Sequence, residues 1–195
     1  PRFALAIVVI MMLTGSLLLA QNSWIAAMLG ILNMGIYNGL YTPLKHKSMP
    51  LAVIFGAFVG AVPPMIGWTS AGGAVFSPII LMVAGFMYLW QIPHFGLLAL
   101  KYGRDYRNAG YAMPYSAQKI KHIIFVSMLL LILQAGGFVF LDIIHSRAIM
   151  AAIAAFSLSL LLALYTFLFS SPRKTRIYKS IPLINIYMML LLILL

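Results

Sequence analysis

The stretch FALAIVVIMMLTGSLLLA, residues 3–20, contains no charged side chain and is long enough to cross a bilayer as a helix. Further apolar segments of similar character follow along the chain, at 24–44, 51–68, 75–98, 123–141, 148–169 and 181–195. They are continuous apolar runs rather than the alternating pattern of an outer-membrane strand. The sequence therefore predicts an all-α, polytopic membrane helix bundle of about seven spans.

The composition is that of a chain surrounded by lipid. Of the 195 residues, 64% are hydrophobic and only 8% are charged, whereas soluble domains have about a quarter of their residues charged. Cysteine is absent, which excludes a disulfide framework, a thiolate nucleophile and a Cys-based metal site. No internal repeat or linker divides the sequence, so we expect a single transmembrane domain over residues 1–195.

The net charge of +11 comes from 13 Lys and Arg set against Asp105 and Asp142. In a soluble protein this imbalance suggests nucleic acid, but in a membrane protein it sets orientation. With seven spans, every Lys and Arg except Arg147 falls on one side, in Arg2 and the predicted connections 45–50, 99–122 and 170–180. We therefore predict that this side faces the cytoplasm, that membrane lipid is a partner and that nucleic acid is not.

Two sets of polar side chains are expected to share helical faces. In the second span Asn33, Tyr37, Tyr41 and Lys45 recur every four residues. The fourth span has a second set of residues spaced by three or four, which share a face provided that the helix continues through Pro93. They are Gln91, His94, Leu98, Lys101 and Asp105. Such stripes are either functional or serve interhelical hydrogen bonding and anchoring. A lone intramembrane His is a haem or metal ligand, a proton relay or a packing residue.

The longest predicted loop, 101–110, continues to Met113 and Pro114 and places three cations around Asp105. Such a loop either lies against lipid headgroups or binds a polyanion together with a divalent metal. Mg²⁺ prefers carboxylate and phosphate oxygens, and one Asp is too few for a strong site. If the loop binds a metal diphosphate, we expect further carboxylates from elsewhere.

Several blocks of the sequence resemble one family, in that family's order and with similar separations. They are Tyr41-Thr-Pro-Leu-Lys-His-Lys47, Gly60-Ala-Val-Pro-Pro-Met-Ile-Gly-Trp68, Trp90-Gln-Ile-Pro-His-Phe95 and Asp105-Tyr-Arg-Asn-Ala-Gly110 with Met113-Pro114. These blocks are similar to the protohaem IX farnesyltransferases (haem O synthases), a branch of the UbiA superfamily of intramembrane prenyltransferases. Together they cover roughly residues 33 to 114.

The resemblance implies a helix bundle around a cavity that opens to the cytoplasmic side. It implies transfer of the farnesyl group of farnesyl diphosphate to a vinyl group of protohaem IX (haem b), which gives haem O and diphosphate. Mg²⁺ is the implied cofactor, and the bacterial cytoplasmic (inner) membrane is the implied location. The implied protein partners are haem A synthase or proteins that assemble terminal oxidases.

The resemblance also implies roles for individual residues at the diphosphate end. Tyr41 and Lys45 would contact the diphosphate by hydrogen bond and by charge, while Lys101 and Arg104 would stabilise it as it leaves. Lys45 and Asp105 are the catalytic candidates, and Asp105 is also the implied Mg²⁺ ligand.

At the acceptor end, His94 is the best candidate for contacting haem, with Gln91 beside it. Aromatic rings favour the positive charge of an allylic cation, so nearby aromatic residues are either pocket walls or ordinary packing. These residues are Tyr37, Phe86, Tyr88 and Trp90.

The sequence departs from the family pattern in three respects. The family's usual Trp after Pro-His-Phe is Gly96, and its Ile-Pro-Met-Leu-Pro is here Tyr111-Ala-Met-Pro-Tyr115. The family's first Asp-rich motif and the two helices around it have no counterpart, so we expect an N-terminally incomplete domain with about seven of nine helices. We also expect that these 195 residues alone make no haem O, which measurable farnesyl transfer would contradict.

Other functions remain open from the sequence. The nearest is a UbiA-type prenyltransferase with an aromatic quinone precursor as acceptor. A transporter or channel would carry polar residues through both leaflets, whereas here they cluster toward the cytoplasmic half. A purely structural subunit would not need the arrangement of Tyr41, Lys45 and Asp105.

Overall fold

The computed structural model describes residues 2–113, 116–140, 146–169 and 174–194, and every regular element within them is helical. The first four helices are α1 (Arg2–Asn22), α2 (Trp24–Ile36), α3 (Thr42–Lys47) and α4 (Met49–Ser70). The other helices are α5 (Pro78–Asn108), α6 (Ala117–Phe140), α7 (Arg147–Phe169) and α8 (Lys174–Leu194). The all-α prediction is confirmed.

Within the described residues each predicted span falls on a helix, except that α5 begins at Pro78 rather than at Val75. Five helices, α1, α4, α5, α6 and α7, are long and apolar enough to cross a membrane by length and composition. The second predicted span is a continuous helical segment in which the π-helical turn Tyr37–Tyr41 joins α2 to α3. In α8 the apolar part is shorter, Ser180–Ile193. The chain is an integral, multi-pass membrane protein, and crossing by these last two segments stays a prediction.

Helix α5 is the centre of the bundle. It packs against α4, α6 and α8, while α2 packs between α1 and α4, and α7 contacts α6 and α8. The core between α5, α6, α7 and α8 includes the fully buried Phe86, Phe138, Leu164 and Tyr187. In contrast, α1 has no buried residue, as expected for a helix whose apolar side chains face lipid.

Small residues let α5 and α6 approach closely. A Cβ on Gly96 would lie 2.5 Å from Ile124 Cγ1, and a Cβ on Gly137 would lie 2.7 Å from Met82 Cε. Close backbone approach at small residues is the usual basis of helix packing in lipid. The replacement of the family's usual Trp by Gly96 is therefore accompanied by a tight α5–α6 contact.

The structure corrects the predicted connections. The 99–122 loop is wrong, because α5 continues to Asn108 and α6 begins at Ala117; only Tyr102 departs from helical angles, with φ −108° and ψ 18°. The helical backbone satisfies its own hydrogen bonds, so polar side chains need not end a helix where it leaves the membrane. The 45–50 connection is similarly reduced to Ser48.

Other predictions fall partly outside the described residues. These are Pro114 at the end of the fourth block, Tyr115 after it, most of the 142–147 connection and residues 170–173 of the last basic connection.

Candidate functional site

The C-terminal end of α5 is a glycine-terminated helix cap. Gly110 has φ +76°, its N–H donates to Arg107 O (3.0 Å), and Tyr111 N–H donates to Tyr106 O (2.9 Å). This pairing is the Schellman motif, in which glycine takes the left-handed conformation that ends a helix. The rings of Tyr106 and Tyr111 lie 5.4 Å apart, which supplies the side-chain contact that often accompanies the motif.

The segment after this cap is attached to α3. The Ala112 N–H donates to Lys45 O at 2.9 Å, and His46 Nδ1 lies 3.2 Å from Gly110 O. The His46 ring also meets the Tyr111 ring edge-on at 5.0 Å. Residues 110–112 therefore bring the end of α5 against the end of α3, which joins the two sequence blocks predicted to bind diphosphate.

The Lys45 ammonium group lies near two tyrosine rings. Its Nζ is 4.9 Å from the ring centroid of Tyr41 and 5.3 Å from that of Tyr111. Tyr41 in turn stacks on Phe95 of α5 at 6.3 Å, over Gly56 of α4. A Cβ on Gly56 would come within 2.8 Å of the Tyr41 ring, so α4 leaves this space for the tyrosine.

The π-helical turn sets the position of these residues. Both the backbone N–H and the hydroxyl of Thr42 donate to Tyr37 O, five residues back, the hydroxyl at 2.9 Å. Single π-turns within α-helices occur frequently at functional sites. Tyr37 and Tyr41 remain neighbours, with ring centroids 5.3 Å apart, and Lys45 continues the line. Sequence spacing predicted this shared face but not the turn.

Lys101, Arg104 and Asp105 line one cavity of about 430 Å³ at the same end of α5. Arg107 lines it as well, so the three cations and the carboxylate of the predicted loop share this cavity. Lys101 Nζ also lies 4.7 Å from the centroid of the Tyr102 ring. The cavity suits a polyanion, because Lys and Arg donate to phosphate oxygens.

An apolar cavity of about 250 Å³ lies beside the cationic one, between α4, α5 and α6. Its walls include Val53, Ile92 and Phe95. Both cavities are lined by Ala99, Met113 and Ile120. An apolar space therefore adjoins a positively charged one.

His94 is held by contacts from two sides. Its Nδ1 lies 3.3 Å from Asn185 Oδ1 on α8, and its ring stacks on Trp90 at 4.8 Å. Trp90 donates its own ring N–H to Ile184 O at 3.0 Å. An amide oxygen can only accept, so the His94 tautomer that makes this hydrogen bond carries its proton on Nδ1 and leaves the lone pair of Nε2 for another partner. The structure thus confirms an interhelical hydrogen bond and leaves the haem role a prediction.

Gln91 lies against α4 at Gly60. Its amide occupies the place that a Cβ on Gly60 would take, with Gln91 Cδ only 2.7 Å from that position. Asn33, the first residue of the predicted stripe in the second span, donates to Val59 O at 3.2 Å. These contacts tie α2 and α5 to the same stretch of α4.

The chain matches a known protein family over nearly its whole length. A profile of the UbiA prenyltransferase family matches residues 1–192. The chain belongs to the UbiA prenyltransferase family.

Curated relatives cover part of this UbiA chain. A protoheme IX farnesyltransferase of Geobacter sulfurreducens is 45% identical over 97 residues, 50% of this chain and 36% of the relative. A mitochondrial protoheme IX farnesyltransferase of Yarrowia lipolytica is 44% identical over 87 residues, 45% of this chain and 18% of the relative. One from Bacillus mycoides is 37% identical over 113 residues, 58% of this chain and 37% of the relative. The matches therefore span less than half of these relatives' length. No solved structure matches the chain.

In this UbiA protein, the ability of the site to bind Mg²⁺ depends on Asp105. Within the described ranges no three His or carboxylate groups cluster as a metal site. Mg²⁺ is often held by only one or two carboxylates, with water and substrate phosphate completing its octahedron. Asp105 fits as a single protein ligand beside a phosphate, and the described residues do not form a complete cage.

The aromatic residues near this UbiA site divide into two kinds. Phe86 is fully buried against Phe138 and Tyr187, and Trp90 is almost fully buried. Both residues therefore serve packing. Tyr37 is 44% exposed and remains available as a wall, and Tyr88 is half-buried. Sequence reasoning missed the contact of Tyr111 with Lys45. Gly110, two residues after the end of α5, was the signal for the cap that places it.

Proposed function

We propose that this chain serves farnesyl transfer from farnesyl diphosphate to a vinyl group of protohaem IX, the reaction of a haem O synthase. The observation that carries the proposal is the apolar cavity beside the cationic one, with Ala99, Met113 and Ile120 in the walls of both. A prenyl diphosphate has the same division into an apolar chain and an anionic end. The curated relatives are named protoheme IX farnesyltransferases, which supports a farnesyl donor and protohaem IX as acceptor.

The chemistry requires charge stabilisation at the diphosphate end. The bond between C1 of the farnesyl chain and a diphosphate oxygen breaks, and a carbon–carbon bond to the vinyl group forms. Water adds to the cation left on the porphyrin side and loses a proton. Preorganised cations stabilise the negative charge that develops on the leaving group, which is the task of Lys45, Lys101 and Arg104.

Mg²⁺ is the proposed cofactor, with Asp105 as one ligand and phosphate and water oxygens as the others. When bound, the ion would neutralise part of the charge on the leaving diphosphate. Tyr41 would donate a hydrogen bond to the same group, since its ring lies next to the Lys45 ammonium.

The acceptor would be placed by His94. A histidine that binds a metal almost always donates its other ring N–H to a neighbouring oxygen. Asn185 accepts such a bond from Nδ1, and Nε2 is then the atom that would face the haem iron. Gln91 would contact the porphyrin from the neighbouring turn of α5.

The cytoplasmic side of a bacterial inner membrane is the proposed location of the site. The support is the basic character of this end of the bundle, including Lys45, Lys47, Lys101, Arg104 and Arg107. Cytoplasmic ends of membrane helices carry the excess of Lys and Arg.

A haem titration of the purified chain in detergent tests the acceptor. We expect a shift of the haem Soret band that is lost in His94→Ala and kept in His122→Ala. His122 is an exposed histidine whose Nδ1 contacts Gln118 O on its own helix. Absence of haem binding together with binding of an aromatic quinone precursor would instead support the alternative prenyltransferase.

A further inference from the structure

We propose that Tyr111 and Ala112 position the Lys45 ammonium group for the diphosphate. The Tyr111 ring holds the ammonium, and the Ala112 N–H holds the backbone from which the side chain extends. This inference rests on the diphosphate role proposed above for Lys45. Neither residue needs to touch the reacting atoms, so both are positioning residues.

The ring contact comes from a distant part of the chain. Lys45 Nζ lies within the usual range of a cation–π interaction from both Tyr41 and Tyr111, at 4.9 and 5.3 Å. Tyr41 is four residues earlier on the same helical segment, so its proximity follows from local geometry. Tyr111 arrives from the end of α5 and adds a second ring to the lysine.

Tyr111 is itself fixed. Its N–H donates to Tyr106 O at 2.9 Å, and its ring meets Tyr106 at 5.4 Å and His46 at 5.0 Å. The ring is therefore held by the cap of α5 on one side and by α3 on the other. A fixed ring limits the directions that the long Lys45 side chain can take.

The backbone contact depends on residue 112. Ala112 N–H donates to Lys45 O at 2.9 Å, and proline at this position would have no N–H to donate. Positions 111 and 112 are also where the sequence departs from the Ile-Pro of the family pattern it resembles. Both contacts therefore depend on residues that distinguish this chain from that pattern.

Holding Lys45 in this way would favour diphosphate binding. A free lysine side chain must be ordered when it binds an anion, and ordering it in advance lowers that cost.

Acylation of lysine amines, read by mass spectrometry of peptides, tests the proposal in the whole chain. Lys47 is exposed and lies two residues away, so the ratio of Lys45 to Lys47 labelling has its reference in the same molecule. We expect Tyr111→Ile to raise this ratio about two- to fivefold, the effect of losing one cation–π contact. Tyr111→Phe keeps the ring and should leave the ratio unchanged. An unchanged ratio in Tyr111→Ile, or an equal rise in Tyr111→Phe, overturns the ring contact.

A second pair of variants tests the backbone contact. Ala112→Pro removes the N–H and should raise the ratio of Lys45 to Lys47 labelling. Ala112→Gly keeps the N–H and should leave this ratio unchanged. Equal ratios in the two variants overturn the role of the Ala112 N–H.

Inorganic diphosphate separates this proposal from the function on which it rests. We expect diphosphate to protect Lys45 in the wild type and to need about two- to fivefold higher concentration in Tyr111→Ile. If Tyr111→Ile raises labelling but diphosphate protects Lys45 in no variant, the diphosphate role of Lys45 is wrong and the ring contact stands. If diphosphate protects all variants at the same concentration, the positioning role is overturned.

Discussion

The indole N–H of Trp90 on α5 donates to the carbonyl oxygen of Ile184 on α8, 3.0 Å away. The Trp90 ring also stacks on His94 at 4.8 Å, and His94 reaches α8 itself through Asn185. Two successive contacts therefore join α5 to α8 where the haem is proposed to bind. The position of His94 depends on a neighbour that has no chemical role of its own.

Replacing Trp90 by phenylalanine removes this donor and part of the stacking surface. We expect a loss of about 1 kcal/mol in the free energy of unfolding, the typical net contribution of a hydrogen bond. Thermal unfolding in detergent measures it, with Trp24→Phe as the control because Trp24 is 76% exposed. Equal unfolding temperatures of the two variants would show that the Trp90–Ile184 bond is not needed for stability.

Asn185→Leu tests how His94 is oriented. The variant keeps the imidazole but removes the oxygen that accepts from Nδ1, so His94 should bind iron more weakly. Loss of a hydrogen-bonding partner of a metal ligand typically costs about 10- to 100-fold in metal affinity. A haem titration gives the dissociation constant, and an unchanged constant would contradict the role of Nε2. Ile186→Leu, on the exposed side of the same helix, is the control.

Two glycines of α4 offer a matched comparison. A Cβ on Gly60 would overlap the Gln91 amide, whereas a Cβ on Gly67 would meet nothing within 4 Å. We expect Gly60→Ala to destabilise the protein by about 1–3 kcal/mol, the usual cost of overpacking. Gly67→Ala should stabilise it by about 0.5–1 kcal/mol, because alanine is the better helix former. Thermal unfolding of both variants measures these changes. A Gly60→Ala protein as stable as the wild type would mean that the Gln91 side chain moves away without cost.

Asp105→Asn tests the metal. If Asp105 is a ligand, Mg²⁺ should increase diphosphate affinity in the wild type and much less in the variant. Calorimetric titration with inorganic diphosphate, with and without Mg²⁺, measures the difference. The same stimulation by Mg²⁺ in both proteins would remove Asp105 from the metal site. Arg104→Gln should instead weaken diphosphate binding whether or not the metal is present.

The shared faces were predictable because the α-helix has a fixed period. Spacing alone placed Tyr37, Tyr41 and Lys45 in one line, and the structure keeps them in contact. The end of α5 was predictable in principle from Gly110, but the charged side chains before it favoured a loop. Charge marks where a helix leaves the membrane rather than where it ends.

Other features of the site could not be predicted from local pattern. The bond from Ala112 to Lys45 joins two backbones, so no side chain in the sequence identifies it. The contact of Tyr111 with Lys45 depends on how α3 and α5 meet, which is decided by packing at Gly56, Phe95 and the rest of the α4–α5 interface.

The wide turn at Tyr37–Tyr41 makes the number of residues in this segment matter as much as their identity. The π-turn takes up one residue more than an ordinary helical turn, but a residue removed from the α-helical part between it and Lys45 would rotate Lys45 by about 100°. Lys45 would then point away from Tyr111, although none of its neighbours had been substituted. Such a change in length would be invisible to a scan of point mutations. Here the number of residues between Tyr37 and Lys45 sets the direction of the lysine side chain, and single-residue deletions are the experiments that test it.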